Sequence, residues 1–225
     1  MIKKMLLGAA MLLCVASFAQ ERTTAEMSKD NPSNARHITL AGELINYGYE
    51  TESALPLIQA IKIYHELNVK EANDGLKPTT TENETPNRNI TKKDQPIRNE
   101  KQLIEDATAF AKGDKNLLAM INECKSTTRS PIGGPIGRYS RVPAFCNQDW
   151  VVGLIGGQAT TVAVSGDGTT DLDLYVFDQN GILVASETSY GDQCYIILNV
   201  YITSNFDVRV VNRGSVYNDY QLLIF

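Results

Sequence analysis

Residues 145–225 alternate between apolar and polar positions with a period of two, and this constrains the fold more than any other feature of the chain. Leu172, Leu174 and Val176 are interleaved with Asp171, Asp173, Tyr175 and Phe177, and the pairs Val162/Val164 and Val208/Val210 repeat the spacing. Successive side chains of a strand point to opposite faces, so a period of two buries one face and wets the other. Turn residues break the pattern at Gly156-Gly157, Gly166-Asp167-Gly168, Asn180-Gly181, Gly191-Asp192 and Asn212-Arg213-Gly214. Strands are predicted near 147–154, 158–165, 171–177, 182–188, 192–200, 205–212 and 217–225. Such short, evenly punctuated strands predict an antiparallel β-sandwich over residues 146–225.

Upstream the period changes to that of helices. Asn31-Pro32 reads as a helix start, and Leu40, Ala41, Leu44, Ile45 and Gly48 form a helical stripe. Thr51 or Ser53 opens a second helix, with Ala54, Leu57, Ile58, Ile61 and Tyr64 on its apolar face. Asn99, followed by Gln102, resembles a capping box ahead of Leu103, Ile104, Ala107, Phe110 and Ala111. Lys112-Gly113-Asp114 separates that helix from one striped by Leu117, Met120, Ile121 and Cys124. Two helical hairpins in series bear a weak resemblance to tetratricopeptide packing. Two hairpins are fewer than a solenoid needs, so the helices are expected to lean on the β-domain or a partner. Residues 73–98, rich in Thr, Asn, Pro and charge, read as a disordered linker inside the helical region 20–125. Residues 126–145 read as a Gly/Pro/Arg loop joining the halves. The fold class expected is α+β, multidomain.

The amino terminus has the layout of a signal peptide over residues 1–19. Lys3 and Lys4 precede an apolar run, and Ser17 and Ala19 stand at −3 and −1 of a cleavage site before Gln20. The run is too short to span a bilayer, so no membrane span is expected after signal removal. An uncleaved anchor and lipidation at Cys14 are the alternatives. Export implies a periplasmic or secreted protein. Net charge is −5 and the basic residues are scattered, which argues against nucleic acid. An oxidising compartment favours disulfides, and Cys146 and Cys194 are expected to staple the sandwich, with Cys124 as the alternative partner of Cys146.

At Asp171-Leu172-Asp173-Leu174-Tyr175 and the following Asp178-Gln179-Asn180-Gly181, the chain resembles the bacterial pre-peptidase C-terminal domain family. Phe206-Asp207-Val208-Arg209-Val210 and the closing Tyr220-Gln221-Leu222 extend the likeness over residues 145–225. The resemblance implies a β-sandwich that aids secretion, localisation or substrate binding. Here helices, rather than a peptidase, precede it.

Catalytic signatures are sparse. His37 and His65 are the only histidines, and neither sits in a metal-binding or nucleophile motif. Asp167, Asp171 and Asp173 are the candidate metal ligands, with Asp192 nearby, and Ca²⁺ is the hard cation such carboxylates suit. The other reading is that these aspartates cap hairpin ends. Arg209 and Arg213 are expected to pair with Asp207 or Asp219, and Tyr190 to be the exposed aromatic. The function expected is an exported, non-catalytic accessory or binding protein, whose partner is a protein or a cell-surface polymer. The alternatives are an envelope assembly subunit and a hydrolase with an unrecognised site.

Overall fold

The computed structural model describes residues 24–27, 33–72, 74–82, 92–126 and 134–225. The signal-peptide segment, Cys14 and the Asn31-Pro32 start lie outside the described residues. Among them are helices α1 (Ser33–Glu50), α2 (Ala54–Glu66), α3 (Glu100–Phe110) and α4 (Lys115–Ser126). The strands are β1 (Ala25–Met27), β2 (Lys70–Glu71), β3 (Thr79–Glu82), β4 (Ile136–Val142), β5 (Cys146–Leu154), β6 (Gln158–Gly166), β7 (Leu172–Phe177), β8 (Leu183–Glu187), β9 (Gln193–Val200), β10 (Ser204–Asn212) and β11 (Asn218–Ile224). The class is α+β, as expected.

The strands form two sheets. Sheet A has the order β1-β9-β6-β11-β4-β2, and sheet B the order β3-β5-β10-β7-β8. All pairings are antiparallel except the short β2/β4 contact. β5 to β11 are the seven strands read from the period of two. Their inward residues, including Trp150, Leu174, Val208, Phe206, Leu198 and Leu222, fill the space between the sheets. A buried polar chain crosses this core. Trp150 Nε1 donates to Tyr220 Oη (2.7 Å), Tyr220 Oη donates to Gln148 Oε1 (2.8 Å), and Ser140 Oγ donates to the same oxygen (3.0 Å). Because every member is paired, the chain ties β5 to β11 and β4 without stranding a polar group in a medium of low dielectric.

Two stretches expected to be loop carry strands. Ile136–Val142 pairs with β11 along its whole length, and Thr79–Glu82 pairs with the edge of β5. Residues 92–98, also within the expected linker, run over Tyr217 and Asp167 through side-chain contacts described below. Neither strand has an apolar period of its own, since β3 is exposed throughout and β4 carries two arginines. Both are recruited by sheet edges distant in sequence.

The helices form a third layer, on the outer face of sheet A. Leu57, Ile58, Ile61, Leu103 and Ile121 share one apolar cluster with Ala163 of β6 and Leu223 of β11. The α2 stripe is buried as predicted. On α1 the buried positions are Ala35, Ile38, Ala41, Gly42, Ile45 and Gly48, while Leu40 is exposed. α1 lies close to the sheet because Gly42 has no side chain: a Cβ there would stand 2.1 Å from Gln193 Oε1 and 2.3 Å from Ser165 Oγ. Asn99 caps α3, accepting from Gln102 N (3.0 Å). The Gln102 side chain turns to Asp106 rather than completing the box. Asp114 caps α4, accepting from Asn116 N (2.8 Å).

Candidate functional site

A cavity of about 710 Å³ opens between the helical layer and the edge of sheet A. α2 contributes Tyr64, and α3 contributes Glu100, Lys101, Ile104, Glu105 and Thr108. Val69 and Glu71 enter from around β2, Tyr139 from β4, Gln221 from β11 and Lys125 from the end of α4. Its lining thus mixes aromatic and aliphatic surface with three carboxylates and two ammonium groups, the composition of a ligand cleft.

Gln221 gives this groove its chemical character. The residue is 4% exposed, and its Oε1 is buried with no hydrogen-bond partner among the described residues. Gly137 makes room for the amide, because a Cβ there would stand 2.3 Å from Gln221 Nε2. An unpaired buried carbonyl costs about 1–3 kcal/mol, a cost the fold carries beside the groove. Tyr64, Tyr139 and Gln221 also line a second cavity of about 30 Å³ beneath the groove. Burial pushes the Tyr64 hydroxyl up to about 12, a rise partly offset by a hydrogen bond to Ser165.

His65 stands beside the groove, its Nε2 3.0 Å from Glu100 Oε1. Thr108, a hydroxyl in the lining, donates to Ile104 O (2.7 Å). Burial raises the pKa of Cys124. For Cys194, burial and then Glu187 push the thiol far above its ordinary value, and Cys194 Sγ donates to Leu172 O (3.0 Å).

No disulfide joins the three described cysteines, correcting the expected Cys146–Cys194 staple. Cys194 on β9 sits against Leu172 of β7, whereas Cys146 is on β5, and β10 lies between β5 and β7. Two strand spacings amount to roughly 10 Å. A disulfide needs Cα atoms within about 7 Å.

The three candidate metal ligands face different partners. Asp167 is buried and ion-paired with Lys92 Nζ, which also donates to Thr169 Oγ1 (3.1 Å) and Tyr217 O (3.3 Å). Asp167 further accepts from Asp219 N (3.1 Å). Asp171 accepts from Gly191 N (2.7 Å), which makes it a turn cap. Asp173 accepts from Arg213 Nε (2.7 Å). Among the described residues no group of three His, Cys, Asp or Glu side chains gathers to hold an ion. Asp167 instead comes together with Asp192, which accepts from Gly168 N and from Asn218 Nδ2 (3.2 Å). Burial raises the Asp192 pKa, and the nearby Asp167 adds to that rise.

A shallower cleft of about 210 Å³ lies on the outer face of sheet B, between Asn147, Tyr175, Phe177, Arg209, Val211 and Arg213. The arginines here do not take the partners expected of them. Arg209 pairs with Asp149 (2.6 Å) and Arg213 with Asp173, while Asp219 pairs with Arg141 (2.6 Å). Tyr190 is 96% exposed, as expected, but Tyr201 is also exposed.

The groove was not legible in the sequence, because its lining comes from six separate elements. One signal was present: a lone amide, Gln221, inside the apolar ending Tyr220 to Phe225. No protein-family model matches the chain, and no curated protein matches it. No helix among the described residues is long and apolar enough to cross a membrane.

Proposed function

We propose that this is an exported, non-catalytic binding protein that holds its ligand in the groove between the helical layer and sheet A. The observation that carries the reading is the cavity of about 710 Å³, lined by Tyr64, Ile104, Tyr139 and Gln221, whose buried Oε1 has no hydrogen-bond partner among the described residues. Export rests on the first nineteen residues, and an accessory role accords with the resemblance over residues 145–225. The non-catalytic reading is supported by the deep burial of Cys194 and by the engagement of the Thr108 hydroxyl with backbone. A thermal-shift screen of peptides and small amphiphiles against the purified protein tests it. Ligands that raise the melting midpoint of the wild type but not of Tyr139→Ala or Gln221→Leu are expected. Hits indifferent to both substitutions would remove the groove as the site, and a hit consumed on incubation would replace binding with catalysis.

A second reading, an envelope subunit docking on another protein, is favoured by one observation. Ile155, Tyr201 and Ile202 are all more than half exposed, and Gly156 packs against Tyr201 O, so the three side chains gather at one end of the sandwich. Loss of a co-purifying partner in Tyr201→Ser/Ile202→Ser, with groove ligands still bound, would favour this reading.

A further inference from the structure

We propose that the outer face of sheet B is a platform for a neutral polysaccharide. Tyr175 and Phe177 occupy alternate outward positions on β7, their rings nearly parallel (19°) with centroids 6.4 Å apart. The guanidinium of Arg209 lies 5.3 Å from the centre of the Phe177 ring. Cross-strand register sets Asp149, Arg209 and Tyr175 in one row across β5, β10 and β7, and Asn147, Val211 and Asp173 in the next. Arg209 holds Asp149 through two contacts (2.6 and 3.2 Å), and Arg213 links Asp173 (2.7 Å) to the Tyr175 hydroxyl (3.1 Å). These groups enclose the cleft of about 210 Å³.

The chemistry selects the occupant. A pyranose ring has an apolar C–H face and a rim of hydroxyls, each of which donates and accepts. An aromatic side chain takes the first, offering large apolar area with few rotors to fix. Guanidinium–carboxylate pairs take the second, since they present N–H donors and carboxylate acceptors side by side. Charge decides between neutral and acidic polymers. The two arginines are cancelled by Asp149 and Asp173, and Asp207, paired in register with Phe177, tips the patch negative. A uronate, a sulfated glycan or a nucleic acid is therefore repelled. The helical cluster covers sheet A and includes no residue of sheet B, so this face is not taken by the helices. The proposal is independent of the groove, and it needs the export reading only for where such a polymer would be met.

The test is affinity electrophoresis and calorimetry of the purified full chain with soluble β-glucan, xylan and mannan, and with polygalacturonate as the acidic control. Backbone amide NMR maps the contact. At least one neutral polymer is expected to bind, shifting amides of residues 147, 175, 177 and 209–213, while polygalacturonate leaves them unmoved. Tyr175→Ala should weaken binding at least tenfold with its melting midpoint retained, and Arg213→Gln should weaken it several-fold. No binding to any neutral polymer, binding to polygalacturonate alone, or undiminished binding by Tyr175→Ala would each overturn the proposal. Shifts confined to Ile104 and Gln221 would overturn it too, while supporting the groove. If Tyr175→Ala does not fold, the wild-type shift map and Arg213→Gln decide.

Discussion

Sheets A and B bury one face against each other and differ in what lies on the other. In sheet A, β6 is buried continuously from Thr160 to Gly166 and β11 from Asn218 to Leu223, because helices cover the outer side. In sheet B, β5 alternates between buried and wetter positions, as does β10 from Asn205 to Val210. The outward residues explain this. On sheet A they include Thr161, Ala163, Ser165 and Leu223, small or apolar groups that let α1 approach closely. On sheet B they include Asp149, Asp207, Arg209 and Tyr175, whose charges keep an open face in water. The same two-layer β fold thus offers one face for building and one for contact.

The largest test of this contrast is a pair of truncations. Leu223→Ala, at a fully buried outward position of sheet A, should cost about 2–5 kcal/mol in urea unfolding. Val151→Ala, at an outward position of sheet B that is 56% exposed, should change stability by less than about 0.5 kcal/mol. Equal losses would mean that the helical layer does not hold sheet A as described. Next in size is Gly42→Val. Its side chain would meet Gln193 and Ser165, forcing α1 off the sheet at a cost of about 1–3 kcal/mol. Hydrogen exchange should show the loss first in α1 rather than in β5 or β10.

The contrast also explains what the sequence disclosed. β5 to β11 were readable within a residue or two, because their turns are local and sheet B keeps its period of two. The α2 stripe was readable for the same reason. β4 was not, since Ile-Gly-Arg-Tyr-Ser-Arg-Val has no single apolar face and gains its strand only by pairing with β11, some eighty residues later. β1, β2 and β3 are edge pieces of two to four residues with no pattern to read. The acidic cluster illustrates the same limit. Asp167, Asp171 and Asp173 are neighbours along the chain, yet Lys92, Gly191 and Arg213 draw them apart. Lys92 comes from a stretch whose composition read as unstructured linker.

One place on the covered side departs from the rule that sheet A is built for packing. Gln221 points outward between Asp219 and Leu223, and its carbonyl is buried without a partner among the described residues. Gln221→Leu should therefore raise stability by about 1 kcal/mol, by removing a polar group that is desolvated and unpaired. The same variant should lose groove ligands. Stabilisation together with lost binding is what a group kept for function gives, whereas a loss of stability would show that the amide is part of the packing.

The smallest effect distinguishes the carboxylates on the two sides. Asp173 meets Arg213 at the open face, and that contact raises the guanidinium's pKa. Asp192, near the end of sheet A, is held by N–H donors alone, and burial raises its pKa above 3.8. A carboxyl whose folded pKa is raised stabilises the fold while protonated. That contribution is complete below the unfolded value of 3.8 and is lost as pH rises through the higher folded value. Asp192→Asn cannot ionise, so it escapes the loss, although it carries a constant cost because its amide nitrogen must face a donor, either Gln193 Nε2 or the Gly168 N and Asn218 Nδ2 pair. The difference in melting midpoint, variant minus wild type, should accordingly become more positive as pH rises from about 3.8 through the folded midpoint, then level off. A difference that does not vary with pH would mean that Asp192 is as well solvated as the acids on sheet B, and that the covered side is wetter than its packing implies.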